Sequence, residues 1–125
     1  NSAWHSNFKS FDSIKVPSCL ERKEARLAPF RDPAMQRNLF DLCEYQQIAM
    51  RSALEHTAGT IKKATGNKKL LFAFYGYSFE LPGCCEGIAE SGHLNLSEIL
   101  KSQELDCIVD ITSYYDRGTA GTGIG

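Results

Sequence analysis

No excess of charge of either sign, no long apolar run and no paired-cysteine spacing marks this sequence of 125 residues. Its 14 Lys and Arg stand against 15 Asp and Glu, a net charge of −1. The basic residues are scattered, so neither nucleic acid nor an anionic membrane is an expected partner. The longest uninterrupted apolar run, 70–75, falls far short of the roughly 20 residues that cross a bilayer. No basic-then-apolar leader opens the chain, so neither a membrane anchor nor a signal peptide is expected. Five cysteines (Cys19, Cys43, Cys84, Cys85, Cys107) are an odd number at irregular spacing, which is no disulfide framework. The absence of Cys-x-x-Cys argues against a zinc site or thioredoxin-like chemistry, and no metal or cofactor is expected. A Gly-x-Ser-x-Gly elbow is also missing, which disfavours the usual serine-hydrolase acyl transfer. Gly118, Gly121, Gly123 and Gly125 loosely resemble a phosphate loop but lack the Lys-Ser/Thr and the helix that such a loop needs.

The composition that is present, 42% hydrophobic and 23% charged, suits one soluble globular domain with one core. The chain opens at Asn1 without Met and closes in the glycine-rich stretch 118–125, so a piece of a longer protein is expected.

Residues 1–31 lack periodicity, yet Trp4, Phe8, Phe11, Ile14 and Val16 are too apolar for a free tail and are expected to cover something. A short helix is expected within 18–27. Asp32-Pro33 then reads as a helix start, with Asp as N-cap and Pro at the first helical position. Leu39, Leu42, Cys43, Met50, Ala53, Leu54, Thr57, Ala58, Ile61 and Ala64 recur at steps of three and four, which predicts a long amphipathic helix over 32–66. Lys62 and Lys63 suit its C-terminal dipole, and Gly66 its left-handed stop. The unbroken apolar run 69–76 predicts a strand buried on both faces, as parallel strands are. A loop over 78–92, a helix over 93–102, a second strand over 106–112 and a glycine-rich loop over 113–125 follow. This alternation predicts an α/β fold with a parallel sheet and right-handed crossovers. Two such strands cannot bury both faces alone, so further strands are expected from elsewhere.

In α/β folds chemistry collects beyond the C-terminal ends of the strands, and both predicted ends are polar and aromatic here. Tyr75, Tyr77 and Glu80 follow the first; Ser113, Tyr114, Tyr115, Asp116 and Arg117 follow the second. Tyrosines beside a carboxylate and an arginine suit a sugar, whose ring offers an apolar face to aromatics and a rim of hydroxyls to charged groups. The same tyrosines also read as packing that closes the end of a barrel. Glycoside hydrolysis needs two carboxyl groups about 5 to 10 Å apart, and Asp110 or Asp116 would have to partner Glu80. None of the three is assigned a catalytic role. His93 follows Ser91-Gly92, so it reads either as a ring packed behind a Ser91 cap or as a group reaching the functional face.

Four stretches, "FRDP" (30–33), "FYGY" (74–77), "SGHLNLSEIL" (91–100) and "SYYDRG" (113–118), taken in order with a long helix between the first two, resemble the middle of β-galactosidase-like (β/α)8-barrel glycoside hydrolases. The similarity runs from about Val16 to Arg117 and is nearest to glycoside hydrolase family 42 and its relatives. It implies a fragment of a TIM barrel, about two strands with their helices, in which 69–76 is the fifth strand and 106–112 the sixth. It implies a retaining enzyme whose acid/base and nucleophilic glutamates follow strands four and seven, outside this sequence, so no residue here is expected to be catalytic. Tyr75, Tyr77, Glu80, Ser113 and Tyr114 would face the sugar pocket, with His93 and Arg117 near its rim. The expected partners are a carbohydrate substrate and the remainder of the barrel. The alternatives are a non-catalytic carbohydrate-binding barrel and a small α/β interaction protein. The loop around Cys84-Cys85 departs from the resemblance and leaves the compartment open.

Overall fold

The computed structural model describes residues 2–23, 30–77, 89 and 91–110. They form a mixed α/β arrangement: two single 3-10 turns (Ser2–Trp4 and Phe11–Ser13), helix α1 (Cys19–Lys23), helix α2 (Arg37–Ala64), strand β1 (Phe72–Phe74), helix α3 (Leu96–Ile99) and strand β2 (Cys107–Val109). Where composition predicts one core, the chain divides inside α2 into two compact units, Asn1–Tyr45 and Gln46–Gly125. Each has its own buried apolar residues, Leu39 in the first and Ala58, Ala73, Tyr75 and Ile99 in the second.

In the first unit, Ser18 and Glu21 build a reciprocal cap on α1. The Glu21 carboxylate accepts from Ser18 N–H and Oγ–H, both at 2.7 Å, and Ser18 Oγ accepts from Glu21 N–H at 3.3 Å. These bonds hold the Glu21 carboxyl below its ordinary pKa. The sequence extends this helix over 18–27, and residues 24–29 lie outside the described ones. Trp4 Nε1 donates to Asp41 at 2.6 Å, and Arg37 reaches the other carboxylate oxygen at 2.7 Å, so Trp4 is anchored on the first turns of α2, whereas Phe11, Ile14 and Val16, expected to cover something, are exposed. Phe8 meets the Trp4 ring edge-on at 6.1 Å.

The start of α2 corrects the expectation of a helix from 32. Asp32 does cap, accepting from Ala34 N–H at 2.9 Å and Met35 N–H at 3.3 Å. Gln36 closes this turn on itself: its N–H donates to Asp32 O at 2.8 Å, and its side chain accepts from Asp32 N–H at 3.0 Å. The Gln36 carbonyl then starts a new ladder, and regular helix begins at Arg37. At the other end Gly66, with φ +58°, donates to Lys63 O at 3.2 Å, and Asn67 donates to Lys62 O at 2.9 Å. That pair of bonds is a Schellman stop, which satisfies carbonyls the helix leaves open.

In the second unit β1 and β2 pair in parallel, with Phe72 opposite Cys107, Ala73 opposite Ile108 and Phe74 opposite Val109. Both strands are three residues long rather than spanning 69–76 and 106–112. At their start the Leu71 carbonyl takes both Asp106 N–H and Cys107 N–H, and at the far end Gly76 leaves extended geometry at φ +102°. Residues 111 and 112 are outside the described ones. The expectation of burial on both faces is also corrected: Ala73 is 6% exposed, but Phe72 is 61% and Phe74 64% exposed. Alternate side chains of a pleated strand point to opposite faces, and only one face of this pair is covered.

The helix expected over 93–102 shortens to α3. Residues before it are drawn into hydrogen bonds with the end of β1 and with α2, so helical bonding starts only at the Asn95 carbonyl, which accepts from Glu98 and Ile99 at 3.2 and 3.1 Å. Ser91 accepts from His93 N–H at 3.2 Å, a local turn ahead of the helix rather than a cap on it.

Candidate functional site at the strand ends

Immediately after β1, Tyr75 continues the ladder by donating its N–H to Val109 O at 3.2 Å. Its ring goes to the covered face and is 1% exposed. Burying a phenol requires partners for its hydroxyl, and the 91–95 segment supplies them. The hydroxyl donates to Gly92 O at 2.7 Å and accepts from Asn95 N–H at 3.0 Å. Burial raises the Tyr75 pKa, against smaller opposing effects from the Asn95 bond and the Arg51 charge, so the group stays a phenol at neutral pH.

Gly76 then turns the chain and donates its N–H to His93 Nδ1 at 3.2 Å. The imidazole lies between two tyrosines, its centroid 5.0 Å from Tyr75 at 38° and 4.9 Å from Tyr77 at 44°. Burial lowers the His93 pKa, while the charge of Asp110, just past β2, pulls it weakly upward. A neutral ring whose Nδ1 accepts a hydrogen bond carries its proton on Nε2, so His93 presents a donor and not a base at that atom.

The 91–95 segment is also tied to α2. Gln47 accepts from Leu94 N–H at 2.8 Å and donates to Ala89 O at 2.7 Å. Gly92, at φ +80°, sits where an added Cβ would lie 2.9 Å from Met50 Cβ. Only glycine fits that combination of backbone and space. Arg51, one turn on from Gln47, reaches Glu55 at 3.4 Å and Glu98 at 3.8 Å.

Of the residues singled out in the sequence, Tyr75, Tyr77 and His93 come together. Glu80, Ser113, Tyr114 and Arg117 lie outside the described residues, as do Asp116, Cys84 and Cys85. Tyr75 faces inward with its proton committed to Gly92, so its role in the cluster is to hold His93 and the segment behind it. Tyr77 and His93, both half-buried, set an aromatic ring beside a neutral N–H donor. Gln47 was missed. Its signal lies in the periodicity, for it falls four residues after Cys43 and three before Met50, a polar side chain on the apolar stripe.

Among the described residues no group of three or more His, Cys, Asp and Glu is placed to hold a metal ion, and no helix is long and apolar enough to cross a membrane. Cys19, Cys43 and Cys107 are in no disulfide. No family model, curated protein or solved structure matches this chain.

Proposed function

We propose that this chain forms part of the sugar-binding face of a β-galactosidase-like (β/α)8-barrel glycoside hydrolase, supplying pocket residues and neither catalytic carboxylate. The observation that carries the reading is His93 held between Tyr75 and Tyr77 beyond the C-terminal end of a parallel strand. That is the end at which barrels and open α/β sheets assemble their sites. Tyr77 offers a ring to the apolar face of a pyranose, and His93 Nε2–H donates to a hydroxyl or ring oxygen. Tyr75 fixes the wall behind them. The resemblance would add Glu80, Ser113, Tyr114 and Arg117 to this pocket; all four lie outside the described residues. The exposed Phe72 and Phe74 also favour this reading, because parallel sheets are covered on both faces and a barrel interior would cover these rings.

The reading frame on both sides of these codons tests the proposal. A strand-end Asn-Glu upstream and a strand-end glutamate downstream are expected, and other residues at both places would reduce the protein to a non-catalytic carbohydrate binder. Hydrolysis of an aryl β-galactoside by the 125-residue chain alone would contradict the placing of both carboxylates elsewhere.

A further inference from the structure

We infer that His93 is a pH-sensitive latch: protonation at Nδ1 releases the Gly76 amide from the 91–95 segment. This inference stands whether or not the face binds sugar. In the closed arrangement Gly76 N–H donates to Nδ1 at 3.2 Å. An imidazolium is a donor at both nitrogens, so its Nδ1–H would confront the Gly76 N–H and the bond would become a repulsion. The ring cannot swing freely away from the amide, because Tyr75 and Tyr77 flank it within 5.0 Å and Ser91 holds its backbone N–H.

The charged groups around the ring set the direction. Among the described residues, the segment after β1 brings the two tyrosines, whose faces attract a cation modestly. From β2 comes Asp110, which favours the charged ring. From α2 comes Arg51, whose charge acts on Tyr75, and from α3 comes Glu98, bonded to Lys101 at 2.7 Å and near Arg51. Burial outweighs Asp110, and the closed-state pKa lies below the ordinary 6.5. The sign follows. The open state binds the proton more readily, so the latch is fully closed above pH 6.5 and loses stability as the pH falls, by up to about tenfold per unit until the closed-state pKa is passed. Opening stays local, because Tyr75 still holds Gly92 and Asn95, and Gln47 still holds Leu94.

The test is amide hydrogen exchange and imidazole NMR on the intact protein between pH 7.5 and 5. Corrected for the intrinsic pH dependence of exchange, protection of Gly76 is expected to fall by up to about tenfold per unit below pH 6.5, in step with the His93 ring titration. Leu94 protection is expected to hold. In His93→Asn the shorter amide keeps an acceptor near Nδ1 but does not titrate, so Gly76 protection should become independent of pH. Three results would overturn the latch: Gly76 protection unchanged while His93 titrates, a His93 that titrates at 6.5 or above or not at all above pH 5, or a His93→Asn protein that retains the wild-type response.

Discussion

The strand pair is fastened to α2 at both ends, and the two fastenings are made differently. At the N-terminal end of the strands Lys62 Nζ donates to Asp106, whose same oxygen accepts from Leu71 N–H at 2.7 Å. Those side chains are 12% and 30% exposed, and both bonds lower the Asp106 pKa. At the C-terminal end the groups are neutral and more deeply packed: Gln47, Tyr75 and His93 meet backbone amides and carbonyls. An ion pair near water holds two elements together with little demand on geometry and weakens with salt. Buried neutral hydrogen bonds demand particular positions, and leaving one unmade is costly. The difference matches the division of labour in α/β proteins, where one end of the strands carries stability and the other chemistry.

Substitutions at the two ends should therefore have unequal effects. The largest belongs to Gly92→Ala, which adds a Cβ against Met50 at a left-handed backbone position. Denaturant unfolding should show a loss of roughly 2–4 kcal/mol. Gln47→Leu keeps most of the volume but orphans Leu94 N–H and Ala89 O; a loss of about 2 kcal/mol is expected, with collapse of Leu94 amide protection. Tyr75→Phe removes one hydroxyl from between Gly92 and Asn95 and should lose about 1–2 kcal/mol. Asp106→Asn should have the smallest effect of the four, and one that shrinks as salt is added. If Asp106→Asn cost more than Gln47→Leu, the contrast between the ends would be inverted.

Acid should separate the ends as well. His93 has a lowered pKa as a base, so its contribution is present above pH 6.5 and declines below it. Asp106 has a lowered pKa as an acid, so its contribution persists until the pH falls below 3.8. Unfolding free energy measured between pH 7 and 4.5 should decline in the wild type and decline less in His93→Asn.

What was legible in the sequence was mostly local. The stop of α2 needs only Gly66 and the two preceding turns, and the cap on α1 needs only Ser18 and Glu21. The start of α2 was half legible: Asp32 caps as its type suggests, but Gln36 competes for the same turn through its side chain and delays the helix. Strand lengths and the onset of α3 depend on Leu71 meeting Asp106 and on Tyr75 meeting Asn95, partners 35 and 20 residues apart, which no local pattern reports. Tyr75 and Tyr77 looked equivalent by position; the turn at Gly76, φ +102°, and the partners of the Tyr75 hydroxyl distinguish them. The imidazole tautomer was not legible, since it depends on a single backbone amide across a loop.

We propose that the surface beyond β1, with Tyr77 and His93 on it, recognises a sugar. The most direct test of this is a ¹⁵N NMR titration of the protein with methyl β-galactoside at neutral pH. Saturable shifts at Gly76, Tyr77 and the His93 ring, lost in a folded Tyr77→Ala protein, are the predicted result. A saturated titration that leaves those three signals in place, or moves only signals elsewhere, would contradict it.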